Sequence, residues 1–316
     1  MVITKNFNIK NAGVRINKDS SLSYHPKKHI FPQHIWIENT NHCNAKCDMC
    51  PREKLTRKQG FMDFALYKKI IKEISKFRRY VKRVHLHNYG EPLLDKLLPQ
   101  RIKLAKSYGV KHAYFVTNGS LFTAENSKQI IKSGLDELKI SFNGTDEKSY
   151  NATMRGLDFT ETIKSINIFI KARDELKRNN PKIKIQYLPL EKNSKKIKDF
   201  ERIFIKLIDL NRGDRLYVSP LHNFGGGKNY NIVAREKFLV CPFPWDVTVI
   251  QYDGKITLCS IDYNGIQSVG DVNKKSIKEI WNGPIIKKAR LDFENLDYGA
   301  YPVCLKCDFV EDIARR

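Results

Sequence analysis

The sequence predicts an α/β fold in which a parallel sheet is followed by a small C-terminal domain made of a β-hairpin plus a helix. Between residues 34 and 218, short apolar strands alternate with amphipathic helices, a pattern typical of a parallel sheet with right-handed crossovers. The pattern changes after Gly225-Gly226-Gly227, where two alternating runs flank Asp253-Gly254. Six strand–helix units indicate an incomplete barrel or an open α/β sheet, so both arrangements remain open at this point.

Alternating or buried apolar runs predict six strands, at residues 34–38, 83–87, 113–116, 138–142, 183–187 and 216–218. Apolar residues at helical spacing predict helices at residues 64–77, 97–105, 127–133, 159–176 and 196–210. The Asp-Gly pair between 248–252 and 255–258 predicts a β-hairpin with a type I′ turn. We therefore expect an N-terminal arm at 1–30, a barrel-like domain at 31–227 and a C-terminal domain at 228–316.

Composition excludes global disorder, because 41% of the 316 residues are hydrophobic. The net charge of +23 suggests a polyanionic partner: nucleic acid, an acidic membrane surface or a phosphorylated substrate. Solvated helix faces, such as the one at 68–72, explain the same charge without a partner. No run reaches the ~20 apolar residues of a membrane span. Residues 1–18 lack the apolar centre of a signal peptide, so we expect a cytoplasmic protein.

Three of the seven cysteines form a C-x3-C-x2-C cluster in the loop after the first strand: Cys43, Cys47 and Cys50. In a reducing compartment, clustered cysteines more often bind metal or do chemistry than form disulfides. Three thiolates on one short loop leave a [4Fe–4S] cluster with one open iron. Zinc with His42 as a fourth ligand is the alternative.

The loop at 43–50 resembles the signature loop of radical S-adenosylmethionine (SAM) enzymes. The segment at 88–92 resembles the Gly-Gly-Glu-Pro motif of that family, although Tyr89 replaces the first glycine. The segments at 117–119 and 141–144 resemble its later strand-end motifs. Asn-Gly pairs alone are common in turns. Their joint placement at the C-terminal ends of predicted strands is where α/β barrels assemble active sites.

The resemblance implies a partial (β/α)6 TIM-like barrel and an open iron that chelates the amino and carboxylate groups of SAM. It also implies that Met49 packs beside the adenine, that Glu91 suits the SAM ammonium, and that Ser141 contacts the ribose or carboxylate. Arg155 is similar to an arginine that pairs with the carboxylate. The cofactor-binding residues implied in this way are Met49, Gly90, Glu91, Asn118, Ser141 and Arg155.

The remaining cysteines are Cys241, Cys259, Cys304 and Cys307. The first two flank the predicted hairpin, and by spacing alone the four suit zinc and [4Fe–4S] equally. The segments at 241–245, 270–272 and 279–281 resemble the auxiliary-cluster extension called SPASM. Four cysteines correspond to its shortened single-cluster form, called twitch, so the chain would hold two [4Fe–4S] clusters. The fully ligated second cluster would accept or relay one electron; a purely structural staple is the alternative.

The resemblance implies reductive cleavage of SAM to a 5′-deoxyadenosyl radical, which abstracts hydrogen from an unactivated C–H bond. We expect oxidation of a carbinol to a ketone in a sugar, aminocyclitol or nucleotide-linked sugar, because the layout is similar to carbohydrate-modifying members of the family. The implied electron donor is flavodoxin- or ferredoxin-like. His222 follows the last strand and is a candidate base, although a lone histidine is more often structural or solvated.

Two other functions compete with this expectation. The first is a peptide maturase that crosslinks or epimerises a ribosomal precursor; most such enzymes have a distinct peptide-recognition domain, for which 30 polar residues are too short. The second is a zinc-bridged nucleic-acid-binding protein. The charge permits it, but two cysteine sites at strand ends and a hairpin are poorly explained by it. We therefore do not expect nucleic acid as a partner.

Overall fold

The structure is a computed structural model that describes residues 14–16, 22–24, 29–189, 194–219, 221–228 and 240–308. The described strands are β1 (Val14–Ile16), β2 (Leu22–Tyr24), β3 (His34–Ile37), β4 (Arg83–His85), β5 (Ala113–Thr117), β6 (Glu137–Ser141), β7 (Lys182–Tyr187), β8 (Arg215–Val218), β9 (Val247–Ile250), β10 (Lys255–Thr257) and β11 (Ser268–Asp271). The six strands predicted for the first domain correspond to β3–β8. Most of the predicted arm at 1–30 lies outside the described residues, but β1 and β2 form an antiparallel pair within it that the sequence did not predict.

The described helices are α1 (Phe64–Lys76), α2 (Leu98–Ser107), α3 (Ala124–Lys132), α4 (Glu147–Thr153), α5 (Phe159–Glu175), α6 (Ser194–Phe204), α7 (Phe243–Asp246), α8 (Ile277–Trp281) and α9 (Pro284–Glu294). Five of them match the predicted helices of the first domain. The sequence pattern did not predict α4, which has a capping box between Asp146 and Ser149. A helix was expected beside the C-terminal hairpin, but its position was not; α9 begins with a proline at its first turn.

Nine of the described strands form one sheet, in the order β11-β10-β9-β3-β4-β5-β6-β7-β8. Strands β3 to β8 are parallel and follow chain order, with helices in the crossovers, as in a partial (β/α)6 TIM-like barrel. Strand β9 pairs with β3 in parallel, so the region beyond residue 228 extends the same sheet. The α/β fold and its C-terminal extension are therefore confirmed.

The two faces of the parallel strands have different compositions. On one face, residues such as Ile35, Phe115 and Ile140 are fully buried in the hydrophobic core. The other face lines the inside of the barrel, which we call the lumen. Side chains alternate between the two faces along a strand, and residues paired in register on neighbouring strands share a face. The side chains on the lumen face include Trp36, His85, His87, Tyr114, Lys139 and Tyr217. The lumen is therefore aromatic and polar, whereas the outer face of the sheet is apolar.

The turn after β9 differs from the predicted type I′ hairpin. That turn requires a positive φ at both central residues. Gly254 has a φ of +93°, but Asp253 does not adopt the left-handed conformation. Strand β9 ends at Ile250, and the amide of Gly254 donates to the carbonyl of Gln251 at 2.9 Å. The connection is thus a four-residue turn closed by a left-handed glycine, and the type I′ prediction is wrong.

A buried ion pair fixes α5 against the last barrel strands. The guanidinium of Arg173 donates to Asp214 at 2.6 and 2.7 Å, and Asp214 also accepts from the amide of Ile183. We expect Asp214→Ala to lower the free energy of unfolding by about 3–5 kcal/mol, because the guanidinium stays buried without its partner. Urea denaturation of the apoprotein measures this loss.

The matched control is Glu175→Ala, on the same helix as Arg173. It removes an exposed carboxylate that pairs with Lys128 of α3. Exposed pairs contribute little, so this variant should unfold at nearly the wild-type urea concentration. Equal destabilisation by the two substitutions would contradict the importance assigned to the buried pair.

Candidate functional site: two cysteine centres joined across the sheet

The loop that follows β3 brings the first three cysteines together. Burial raises the pKa of the Cys43 thiol to about 11 and that of Cys47 to about 12. The negative charges of Cys50 and Cys43 raise the pKa of Cys47 further, so the three sulfur atoms lie within electrostatic range of one another. These thiols would have to lose their protons to bind a metal, and a cationic centre would then offset the repulsion between the thiolates. The donor set therefore fits a metal cluster.

A single zinc ion at this loop would need His42 as a fourth ligand beside the three thiols. Zinc requires four ligands about 2.0–2.3 Å from one point. The ring of His42, the alternative zinc ligand, stacks on Phe61 at 4.9 Å. Without that imidazole, the donor set is three thiols, which fits an iron–sulfur cluster.

The segment after β4 packs directly on the backbone of the cysteine loop. A Cβ atom on Gly90 would lie 2.1 Å from the carbonyl oxygen of Thr40 and 2.8 Å from that of His42. The next amide, that of Glu91, donates to the His42 carbonyl at 2.8 Å. The glycine is required because the two backbones leave no room for a side chain at this position.

Glu91 ties the ends of neighbouring strands together. Its buried carboxylate accepts from the Thr117 hydroxyl at 2.7 Å, from the Asn118 amide at 2.8 Å and from the Leu93 amide at 3.0 Å. Burial raises the pKa of Glu91 to about 7, although these donors act in the opposite direction. The sequence assigned this carboxylate to the SAM ammonium; in the structure its oxygens hold β5 and the segment after β4 in place.

Two more predicted contacts position the cysteine loop. The side-chain amide of Asn118 donates to Asn44 of the loop at 2.9 Å. The guanidinium of Arg155, which is half exposed, pairs with Glu53 at 3.0 Å and with Asp48 at 3.6 Å. Both residues therefore connect the loop to strand or helix ends, and the charge of Arg155 is already balanced by these carboxylates.

Met49 and Ser141 complete the predicted set. Met49 is only 4% exposed, and its sulfur lies 3.8 Å from the side-chain nitrogen of Asn143. Ser141 is the half-buried last residue of β6. The structure thus gathers all six predicted SAM contacts on or beside the cysteine loop, at the carboxyl ends of β3 to β6. Their roles toward SAM remain predictions.

The four cysteines of the C-terminal region line one cavity, together with Phe243, Leu258 and Phe293. Burial raises the pKa of the Cys259 thiol far above its ordinary value, and the charges of Cys304, Cys307 and Cys241 raise it further. The amide of Gln267 donates to the sulfur of Cys304 at 3.5 Å. Four half-buried thiols that line one cavity provide a complete ligand set for a second cluster.

Arg57 and Tyr89, which were not predicted to be site residues, connect the segments that carry the two cysteine centres. Arg57 donates to both oxygens of Glu38 at 2.9 Å, and its Nε donates to the carbonyl of Tyr263 at 2.7 Å. Tyr89 donates its hydroxyl to the carbonyl of Ile261 at 3.1 Å, and the charges of Cys50 and Cys259 both act on it. Glu38 could have been selected from the sequence, because it is a charged residue that directly follows an apolar strand.

His222, the candidate base, packs against Phe224 with ring centroids 4.0 Å apart. Burial lowers the pKa of its imidazole to about 4, and the positive charge of Lys139 acts in the same direction. The ring is therefore neutral near pH 7 and can accept a proton, although its low pKa reduces the driving force for that transfer. His222 therefore lies within electrostatic range of Lys139, a lysine of the lumen.

Two family profiles match the chain. The Radical SAM superfamily matches residues 37–181, and the SPASM iron–sulfur cluster-binding domain matches residues 241–308. The chain is 22% identical to the tungsten-containing aldehyde ferredoxin oxidoreductase cofactor-modifying protein of Pyrococcus furiosus, covering 88% of this chain and 90% of that protein. It is 23% identical to the S-adenosyl-L-methionine-dependent 2-deoxy-scyllo-inosamine dehydrogenase of Niallia circulans, covering 87% and 92%.

Among solved structures, the fold is similar to that of Streptococcus suis SuiB bound to precursor peptide SuiA. The TM-score is 0.66 at 16% identity, and the match covers 90% of this chain and 71% of that one. At this identity the likeness concerns the fold. Within the described ranges, no helix combines the length and apolarity that crossing a bilayer requires.

The contact between Gly90 and the cysteine loop can be tested by Gly90→Ala. The added methyl group would overlap the Thr40 carbonyl, so the loop must shift and the first cluster should assemble poorly. We expect iron in reconstituted protein to fall from about eight to about four per chain. Iron analysis and the visible absorption of the anaerobic protein measure the change.

Gly299→Ala is the matched control, because its Cβ would meet only a side-chain oxygen of Asp297 at 3.3 Å. This variant should bind wild-type amounts of iron. Full iron content in Gly90→Ala would show that the close approach does not control cluster assembly.

Proposed function

Because the chain is a radical SAM enzyme with a SPASM domain, we propose that it oxidises a carbinol C–H of a sugar, aminocyclitol or nucleotide-linked sugar to a ketone. The observation that carries this proposal is the second cysteine centre. It has four thiol donors around one cavity and is hydrogen-bonded to the segments that flank the first centre. The similarity to a SAM-dependent inosamine dehydrogenase over most of both chains supports the substrate class.

The proposed reaction removes one hydrogen atom, one proton and one electron from the carbinol carbon and its hydroxyl. When bound, SAM and the first cluster supply the hydrogen-abstracting group, and the second cluster supplies a one-electron acceptor. Cys43, Cys47 and Cys50 would hold the first cluster. The ligands of the second would be Cys241, Cys259, Cys304 and Cys307. An external flavodoxin- or ferredoxin-like protein would supply the electron for SAM cleavage.

The chain's own residues position the reaction. Gly90 and Glu91 hold the loop after β3 against the ends of β4 and β5, so the cluster ligands and the SAM contacts share one rigid edge. The neutral His222 could accept the hydroxyl proton. Aromatic side chains such as Trp36 and Tyr114, which both pack on His85, line the lumen beneath this edge and would limit the access of bulk water to a bound substrate. We assign the arm to 1–30, the radical SAM domain to 31–227 and the SPASM domain to 228–316.

The first test is SAM cleavage. Replacing Cys43, Cys47 or Cys50 with Ala leaves two thiols, which cannot hold the open cluster. Production of 5′-deoxyadenosine in anaerobic assays with dithionite should therefore fall to background. The assignment would be wrong if any of these variants made it at the wild-type rate.

The second test concerns the reaction type. Candidate sugars and aminocyclitols carrying deuterium at the carbinol carbon should transfer it to 5′-deoxyadenosine, and mass spectrometry should show a product lighter by two hydrogens. Cys304→Ala should reduce ketone formation much more than SAM cleavage, because only the later electron transfer requires the second centre. Retained SAM cleavage in this variant confirms that the first domain is folded. A redox-neutral product or a modified peptide would overturn the proposed dehydrogenase and leave the radical SAM assignment intact.

A further inference from the structure

The lumen contains a lysine for which the reaction above provides no role. Lys139 lies in β6, two residues before Ser141, and the two side chains are on the same face of the strand. Two residues of strand span about 7 Å, so Lys139 lies roughly that far below the edge that carries the predicted SAM contacts. It therefore occupies the part of the lumen next to the reacting edge.

The charge of Lys139 is not neutralised by a carboxylate. Within the described part of the chain, its ammonium makes no hydrogen bond or ion pair, and it lies 4.8 Å from the ring centroid of Tyr217. Glu137, on the same face of β6, is engaged by Lys184 at 2.9 Å and lies 3.6 Å from His112. Burial lowers the pKa of Lys139 to about 8, despite the opposing effect of Glu137. An ammonium in this position would be stabilised by an anion.

The groups around Lys139 can bind a hydroxylated ligand. His87 and His222 are close enough for the lysine charge to lower their pKa values, to about 3 and about 4 after burial, so both rings are neutral. A neutral imidazole can donate and accept hydrogen bonds. Tyr217 donates its hydroxyl to Gln186 at 3.3 Å on the same face. Lys184, the register neighbour of Lys139, is paired with Glu137. Lys139 therefore faces neutral hydrogen-bonding and aromatic groups beside this ion pair, a composition that suits a sugar carrying one acidic group.

We propose that Lys139 binds an anionic oxygen group of the substrate, a phosphate or a carboxylate, in the lumen beneath Ser141. This inference rests on the proposed function, because it narrows the sugar-like substrate to a phosphorylated or acidic one. Binding there would hold the substrate by its charged group and leave its hydroxyl-bearing carbons toward the edge of the sheet. Lys139 is thereby a specificity-determining residue rather than a group that takes part in hydrogen abstraction.

The test measures binding without turnover. Full-length protein with both clusters reconstituted is titrated anaerobically with inorganic phosphate and, separately, with acetate, by calorimetry at constant ionic strength. We expect saturable binding of at least one anion, weakened about 30-fold in Lys139→Met and largely retained in Lys139→Arg. Tighter binding of phosphate would indicate a phosphorylated substrate, and tighter binding of acetate a carboxylate.

Lys171→Met is the matched control, because Lys171 is an exposed lysine on α5. It should bind both anions as the wild type does, and iron content confirms that each variant is assembled. Equal binding by Lys139→Met and wild type, or no saturable binding of either anion to wild type, would overturn the proposal. SAM cleavage by the wild type is measured separately, and its absence would refute the proposed function. If the wild type cleaves SAM but binds neither anion, only the role of Lys139 is refuted.

Discussion

The buried carboxylate of Glu38 is the interaction on which the relative placement of the two cysteine centres depends. It lies at the end of β3, is 0% exposed, and accepts two hydrogen bonds from Arg57. It also accepts from the backbone amide of Tyr252, just after β9. A buried charge is tolerated only when it is paired and hydrogen-bonded. The carboxylate therefore holds the cysteine loop, the central strand and the C-terminal hairpin in one arrangement.

Arg57 extends this constraint to the second centre. The Nε–H of Arg57 donates to the carbonyl of Tyr263, in the segment between Cys259 and Gln267. The hydroxyl of Tyr89 bonds to Ile261 in the same segment. Tyrosine replaces a family glycine at position 89, and its long side chain spans the gap that a glycine would leave. In this chain the C-terminal domain is thus fastened to the barrel by side chains as well as by the pairing of β9 with β3.

The elements and the cysteine ligands could be predicted because their signals are local. Strands β3 to β8 were predicted from short apolar or alternating runs. The C-x3-C-x2-C and C-x2-C motifs place their cysteines only a few residues apart in sequence. The partners of single charged groups could not be predicted in the same way. Glu91 and Asn118 are 27 residues apart in sequence, and only the parallel pairing of neighbouring strands makes them neighbours. The type I′ prediction was wrong for a related reason. Strand β9 pairs with β3 as far as Ile250, so the turn starts at Gln251 and contains four residues rather than two.

The lumen shows what a sequence pattern conceals about charge. The net charge of +23 is spread over many solvated lysines, and it says little about any one of them. Lys139 differs because its neighbours in register, rather than its neighbours in sequence, determine its surroundings. The apolar outer face of β6 forces alternate residues inward, where a charge is stabilised by a partner, as Glu137 is by Lys184. The same alternation that builds the core therefore places Lys139 on the lumen face, below the edge where we propose that the substrate binds.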